Sequence, residues 1–189
     1  MSVFANFLIF QAGWFATVLG AANGAPWLGP IAVLVAVVLH LRTTNDAAAE
    51  LRLLGSAVAL GLVADSLLLA TGWIAYPNGS WVPGLAPYWI VTLWALFATT
   101  LNVSMRWMAG RYLLAALFGA IGGPLSYLAG ARLGAMTFVD TQAAVAALAV
   151  ACALAMPALM WLAARLDGTQ EPLRPDYIRA SWKRVDDHG

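Results

Sequence analysis

The chain has 189 residues, 62% of them hydrophobic and 10% charged, with a formal net charge of +1 and a mean hydropathy of +0.78. A soluble domain carries about 25% charged residues, so these charges are too few to cover a globule in water, and the basic excess is too small for a nucleic-acid partner. The composition specifies an all-α integral membrane protein. The one cysteine, Cys152, lies in an apolar run and excludes a disulfide framework or a cysteine-based zinc site. With two histidines, one beside the C-terminus, neither a metal nor another cofactor is expected.

A helix needs about 20 mainly apolar residues to cross about 30 Å of hydrocarbon. Six runs qualify in chain order: Val3–Ala22, Leu28–Leu41, Leu51–Ala75, Tyr88–Met105, Tyr112–Ala135 and Ala143–Ala163. The second is short and leans on its flanks. Asn6 and Gln11 interrupt the first run, which also has no basic leader and therefore does not read as a cleaved signal peptide. Pro77, Asn78, Gly79, Pro83 and Gly84 make the third-to-fourth connection a loop. The expected architecture is a compact bundle of about six transmembrane helices over residues 1–165, followed by a polar tail over 166–189.

The basic residues orient the bundle. Arg42 and Arg52 bracket one connection, Arg106 and Arg111 another, and Arg165, Arg174, Arg179, Lys183 and Arg184 follow the last run. In a six-span chain these regions share one side and hold nine of the ten basic residues, which places both termini in the cytoplasm. Trp27, Trp73, Trp81 and Trp89 are expected at the outer interface, with Trp107 and Trp161 at the inner one. His40 reads as an interfacial residue. In the tail, Trp182 with Lys183 and Arg184 reads either as a solvated end or as a contact with anionic headgroups.

Polar groups inside hydrocarbon are costly and mark packing contacts or sites. Asp65 lies about 21 Å along the third run if counted from Leu51, and Arg132 in the fifth is its natural bidentate partner. Asp140 competes for the same guanidinium. Such a pair reads as a clasp between helices or as a group that handles substrate or protons. Thr92, Thr99 and Asn102 share one face of the fourth run, for interhelical hydrogen bonds or a wet groove. Gln11, in the first run, calls for a partner on helix four or five.

The fifth run carries Gly122, Gly123 and Pro124, then Ser126 and Tyr127. Pro124 removes a helical donor, so this stretch reads as a kink or as a helix break lining a cavity. Gly122, Ser126, Gly130 and Gly134 recur every four residues and suit close packing against Ala12, Ala16, Gly20 and Gly24 of the first run. No arrangement of residues reads as catalytic. The candidate polar cluster is therefore Gln11, Asp65, Thr99, Asn102, Ser126, Tyr127 and Arg132, with the helix break at Gly122, Gly123 and Pro124.

Phe10 to Phe15, Val18 to Ala22, Asp65 to Leu68, Trp94 to Asn102 and Gly122 to Tyr127 resemble, in that order, the motifs of the bacterial inner-membrane family of domain of unknown function 2878. The resemblance runs from about Asn6 to Trp161. One departure is Val103, where a histidine would follow Asn102; it puts histidine chemistry there in doubt. The family has no established activity. The resemblance implies a place in the bacterial inner membrane, near enzymes that modify lipid acyl chains. Three readings follow: a subunit or scaffold for such enzymes, a binding or transport protein with an Asp/Arg-lined cavity, and a membrane-embedded enzyme, the least favoured. Expected partners are the lipid bilayer and either lipid-modifying enzymes or further copies of the chain.

Overall fold

The computed structural model describes residues 1–170; the tail basic residues and Trp182 lie outside the described residues. Six helices follow one another: α1 (Val3–Ala22), α2 (Leu28–Leu41), α3 (Ala47–Ala70), α4 (Tyr88–Leu101), α5 (Tyr112–Arg132) and α6 (Thr141–Arg165). The protein is an all-helical membrane-type bundle. Four of the helices, α1, α3, α5 and α6, are long and apolar enough to cross a bilayer, whereas α2 and α4 are shorter. At 1.5 Å per residue, 14 residues cover about 21 Å. The six helices match the six apolar runs, the second short as expected and the fourth shorter than its run.

Local chemistry sets the bounds. Asp46 caps α3 by accepting from the backbone N–H groups of Ala48 and Ala49. That starts the helix a turn before Leu51 and brings Glu50 inside it. At its other end Gly72 turns the chain with φ +74°. Residues Ile74–Ala75 then leave the helix to pair antiparallel with Thr137–Phe138, a two-residue ladder that ties the α3–α4 loop to the α5–α6 turn. Helix α4 stops at Leu101, short of Met105. Asn102 to Met105 form turns, with the N–H groups of Val103 and Met105 both bonded to the Thr100 carbonyl. Asp140 caps α6 through the Ala143 N–H, so it serves the backbone.

Helix α4 is the central post and packs against α1, α2, α3 and α6. Its residues Leu96, Ala98 and Leu101 are buried, the last two in a core with Leu53, Ala57, Met156 and Leu159. Helices α1 and α2 meet at small residues: a Cβ on Gly29 would lie 2.7 Å from the Thr17 methyl, and one on Gly20 would lie 3.0 Å from the Leu28 Cβ. The row on α1 thus serves α2, and the expected packing against α5 is corrected. Helix α5 packs chiefly on α6. The α3–α4 loop folds over one end of the bundle, where Gly79, at φ +85°, lets its backbone lie against the Trp89 indole. Trp89 donates to the Asn78 carbonyl at 3.0 Å and is 1% exposed. The interface position expected for Trp89 is therefore corrected: that loop covers it. Trp27, Trp81, Trp107 and Trp161 are exposed.

Candidate functional site: an intramembrane cavity beside Asp65

Since α5 reaches the bundle mainly through α6, a gap remains between α5 and α1, floored by α4 and α6. A cavity of about 440 Å³ fills it, lined by Phe10, Gln11 and Trp14 of α1, Trp89, Leu93, Trp94 and Phe97 of α4, Gly122, Ser126 and Tyr127 of α5, and Cys152 and Met156 of α6, among others. That volume lies in the range of ligand-binding pockets, about 300–1,000 Å³. Phe118 and Leu125 belong both to this lining and to the exposed apolar surface, so the cavity opens sideways between α1 and α5. Across the opening the Trp14 indole N–H donates to Ser126 Oγ at 3.1 Å.

Asp65 stands behind the wall of this cavity. Its carboxylate accepts from Trp94 Nε1 at 2.8 Å and from the Tyr127 hydroxyl. Both donors come from side chains that line the cavity, so Asp65, 2% exposed, fixes the position of the wall. Gly61, one helical turn before it, makes room for the Trp94 ring: a Cβ there would fall 2.1 Å from the indole. Nearby, the Tyr76 hydroxyl is buried with no hydrogen-bond partner among the described residues. Burial first, and the Asp65 carboxylate second, push its ionisation well above the usual phenol range.

The structure divides the residues singled out in sequence. Gln11, Ser126 and Tyr127 line the cavity and Asp65 backs it. Arg132, the last residue of α5, is exposed and has no ion pair among the described residues. The Asp65–Arg132 pair is corrected: neutral indole and phenol donors satisfy the carboxylate without burying a second charge, whose desolvation is costly, and Arg132 stays at the helix end. Thr92 and Thr99 turn their hydroxyls onto the carbonyls of Trp89 and Leu96 in their own helix and do not line the cavity. Gln11 makes no side-chain hydrogen bond among the described residues, so the partner expected on helix four or five is absent there; Trp14 makes that link instead.

Helix α5 runs unbroken through Gly122, Gly123 and Pro124, which corrects the expected break, yet this stretch does face the cavity. Pro124 itself is buried. Tight packing falls on Gly119 and Gly123, not on the Gly122–Ser126 row. A Cβ on Gly119 would lie 2.2 Å from the Cys152 carbonyl oxygen, and one on Gly123 2.3 Å from its sulfur, whereas at Gly122 it would meet only Phe118 at 3.7 Å. Gly119→Ala is therefore expected to destabilise the protein by about 1–3 kcal/mol, the usual cost of overpacking. Gly122→Ala gains up to about 1 kcal/mol of helix propensity. Thermal unfolding of the two variants in detergent, side by side, checks the contrast.

A second cluster, at the end of the bundle that carries Arg42, Arg52 and Arg106, was not legible as a unit. Glu50, fully buried, accepts from His40 Nε2 at 2.9 Å, from Asn102 Nδ2 at 3.0 Å and from the Gly168 N–H at 3.0 Å. With Nε2 donating, His40 Nδ1 is left buried without a partner among the described residues. His40 is thus a core residue and its interfacial reading is corrected. Arg106 holds Asp167 with both oxygens within 3.0 Å and donates to the Asn102 carbonyl. The first residues after α6 are so fastened across α3 and α4. Asn6 was overlooked as well: it is 1% exposed, donates to the Thr99 carbonyl and accepts from Ser104. The only signal for Glu50 was a lone acid four residues after a capping Asp46.

The model of the family described as protein of unknown function (DUF2878) matches residues 3–158, and the chain belongs to that family. No curated protein and no solved structure matches the chain.

Proposed function

We propose that the protein binds one lipid-like molecule by taking a single chain of it sideways from the bilayer between α1 and α5. The carrying observation is the cavity of about 440 Å³, apolar and aromatic in lining, whose wall includes Phe118 and Leu125 of the exposed apolar surface. A liquid water occupies about 30 Å³, and a methylene is of similar size, so the space suits about fifteen such groups, one long chain. The scattered polar groups give a handle without a charge in the lining: Arg132 lies elsewhere and Asp65 is held by two neutral donors. This reading favours binding or transport over catalysis, since no acid–base or nucleophile pair faces the space. We further infer from the basic residues at one end that this end faces the cytoplasm, and from the family resemblance that the membrane is a bacterial inner one.

The test uses the room beside Gly122. Gly122→Leu projects four carbons into the cavity from a position with no close neighbour and improves helix propensity. Native mass spectrometry of protein released from lipid nanodiscs is expected to show one retained lipid on the wild-type chain and none on Gly122→Leu, at equal unfolding temperature. Equal retention by both would contradict the proposal. A role as scaffold for acyl-chain-modifying enzymes would use the same cavity to present a lipid, and it rests on the family resemblance alone.

A further inference from the structure

Four polar side chains line the cavity away from both helix ends. Trp14 lies eleven residues into α1 and Ser126 fourteen residues into α5, about 16 and 21 Å from helix starts at the same end of the bundle, at and somewhat beyond the middle of about 30 Å of hydrocarbon. Gln11 is one turn from Trp14, and Tyr127 follows Ser126. The Trp14 N–H is spent on Ser126 and the Tyr127 O–H on Asp65. Among the described residues Gln11 has neither donor nor acceptor satisfied, and none accepts the Ser126 hydroxyl proton. Hydrocarbon offers no water to supply what is missing, and an unmade amide hydrogen bond there costs several kcal/mol. An occupant made only of methylenes would leave that cost in place.

Resting on the lipid-binding reading above, we infer that the molecule carries a hydrogen-bonding oxygen at mid-membrane depth, a hydroxyl or carbonyl part-way along its chain or on a ring, and that Gln11 and Ser126 recognise it. The amide of Gln11 both donates and accepts, so it serves either oxygen type; the Ser126 hydroxyl donates while still accepting from Trp14. The surrounding Trp14, Trp94 and Tyr127 rings leave the rest of the selection to shape and apolar contact. A plain saturated chain enters the same space and is held less well.

Competition against a photoactivatable fatty acid, its diazirine at mid-chain, tests this with the full-length protein in nanodiscs. The competitors are stearate, 10-hydroxystearate and a decyl-substituted benzoquinone. Oxygen-bearing competitors are expected to suppress labelling of α5 and α6 about tenfold more effectively than stearate, the effect of one or two intramembrane hydrogen bonds. Whether the hydroxy acid or the quinone competes better tells a chain hydroxyl from a ring carbonyl. Gln11→Leu with Ser126→Ala, both apolar and compatible with a helix in lipid, should abolish the preference, so that all three competitors suppress labelling equally. Equal competition by all three, or a preference that survives both substitutions, overturns this inference alone. Absence of labelling in the wild type overturns the lipid-binding reading and this one with it.

Discussion

Glu50→Ala is expected to be the most damaging single substitution in the chain, costing about 3–5 kcal/mol. Its carboxylate gathers donors from three elements: the His40 ring of α2, the Asn102 amide after α4 and the Gly168 N–H after α6. Truncation leaves the His40 and Gly168 donors buried without their acceptor and Asn102 with only the Leu166 carbonyl at 3.4 Å, and the cost of unmade bonds, not the net worth of the pair, sets the size of the effect. Glu50→Gln keeps one carbonyl oxygen for Asn102 and Gly168 and should recover part of the loss. Arg106→Ala, with its partner at a partly exposed site, should cost far less, since surface pairs contribute about 0–1 kcal/mol. Thermal unfolding in detergent ranks the three. An unchanged midpoint for Glu50→Ala would show that the cluster does not fasten the helices together.

The second large effect is expected at the wall of the cavity. Asp65→Leu removes the acceptor of Tyr127 and Trp94, at about 1–3 kcal/mol for each donor left unmade. It also frees two side chains that line the cavity, so lipid retention should fall along with stability. Asp65→Asn retains one carbonyl acceptor and should be the milder variant in both measurements. Tyr127→Phe separates the two effects: one hydrogen bond is lost, the ring stays, and binding should survive with a lowered unfolding temperature. Retention of lipid by Asp65→Leu at wild-type level would show that the carboxylate does not hold the wall in place.

Much of this arrangement is legible in the sequence. The bounds of α1 and α2 follow from hydropathy alone, because the Asn23–Pro26 turn and the polar run after Arg42 end both helices sharply. Asp65 stood out, as did the Gly122–Tyr127 stretch, and both belong to the candidate site. Their partners were not legible. Apolar periodicity on α5 presents two parallel small-residue rows, Gly119 with Gly123 and Gly122 with Ser126, and only the placement of α6 decides that the first is packed tightly against Cys152. Charge pairing suggested Arg132 for Asp65; the neutral donors Trp94 and Tyr127 carry no such signal. Glu50 fell just outside an apolar window. Its cap at Asp46 moves it inside the helix, toward a histidine that the short α2 places opposite.

The central claim is that α1 and α5 stand apart around a lipid chain. A density map of the protein in a lipid nanodisc, enlarged by a bound antibody fragment, tests it most directly. The account predicts elongated density between the two helices, passing Gly122 and reaching Gln11 and Ser126, with Trp14 at the opening. Helices α1 and α5 packed side chain to side chain, with the space closed, would contradict it.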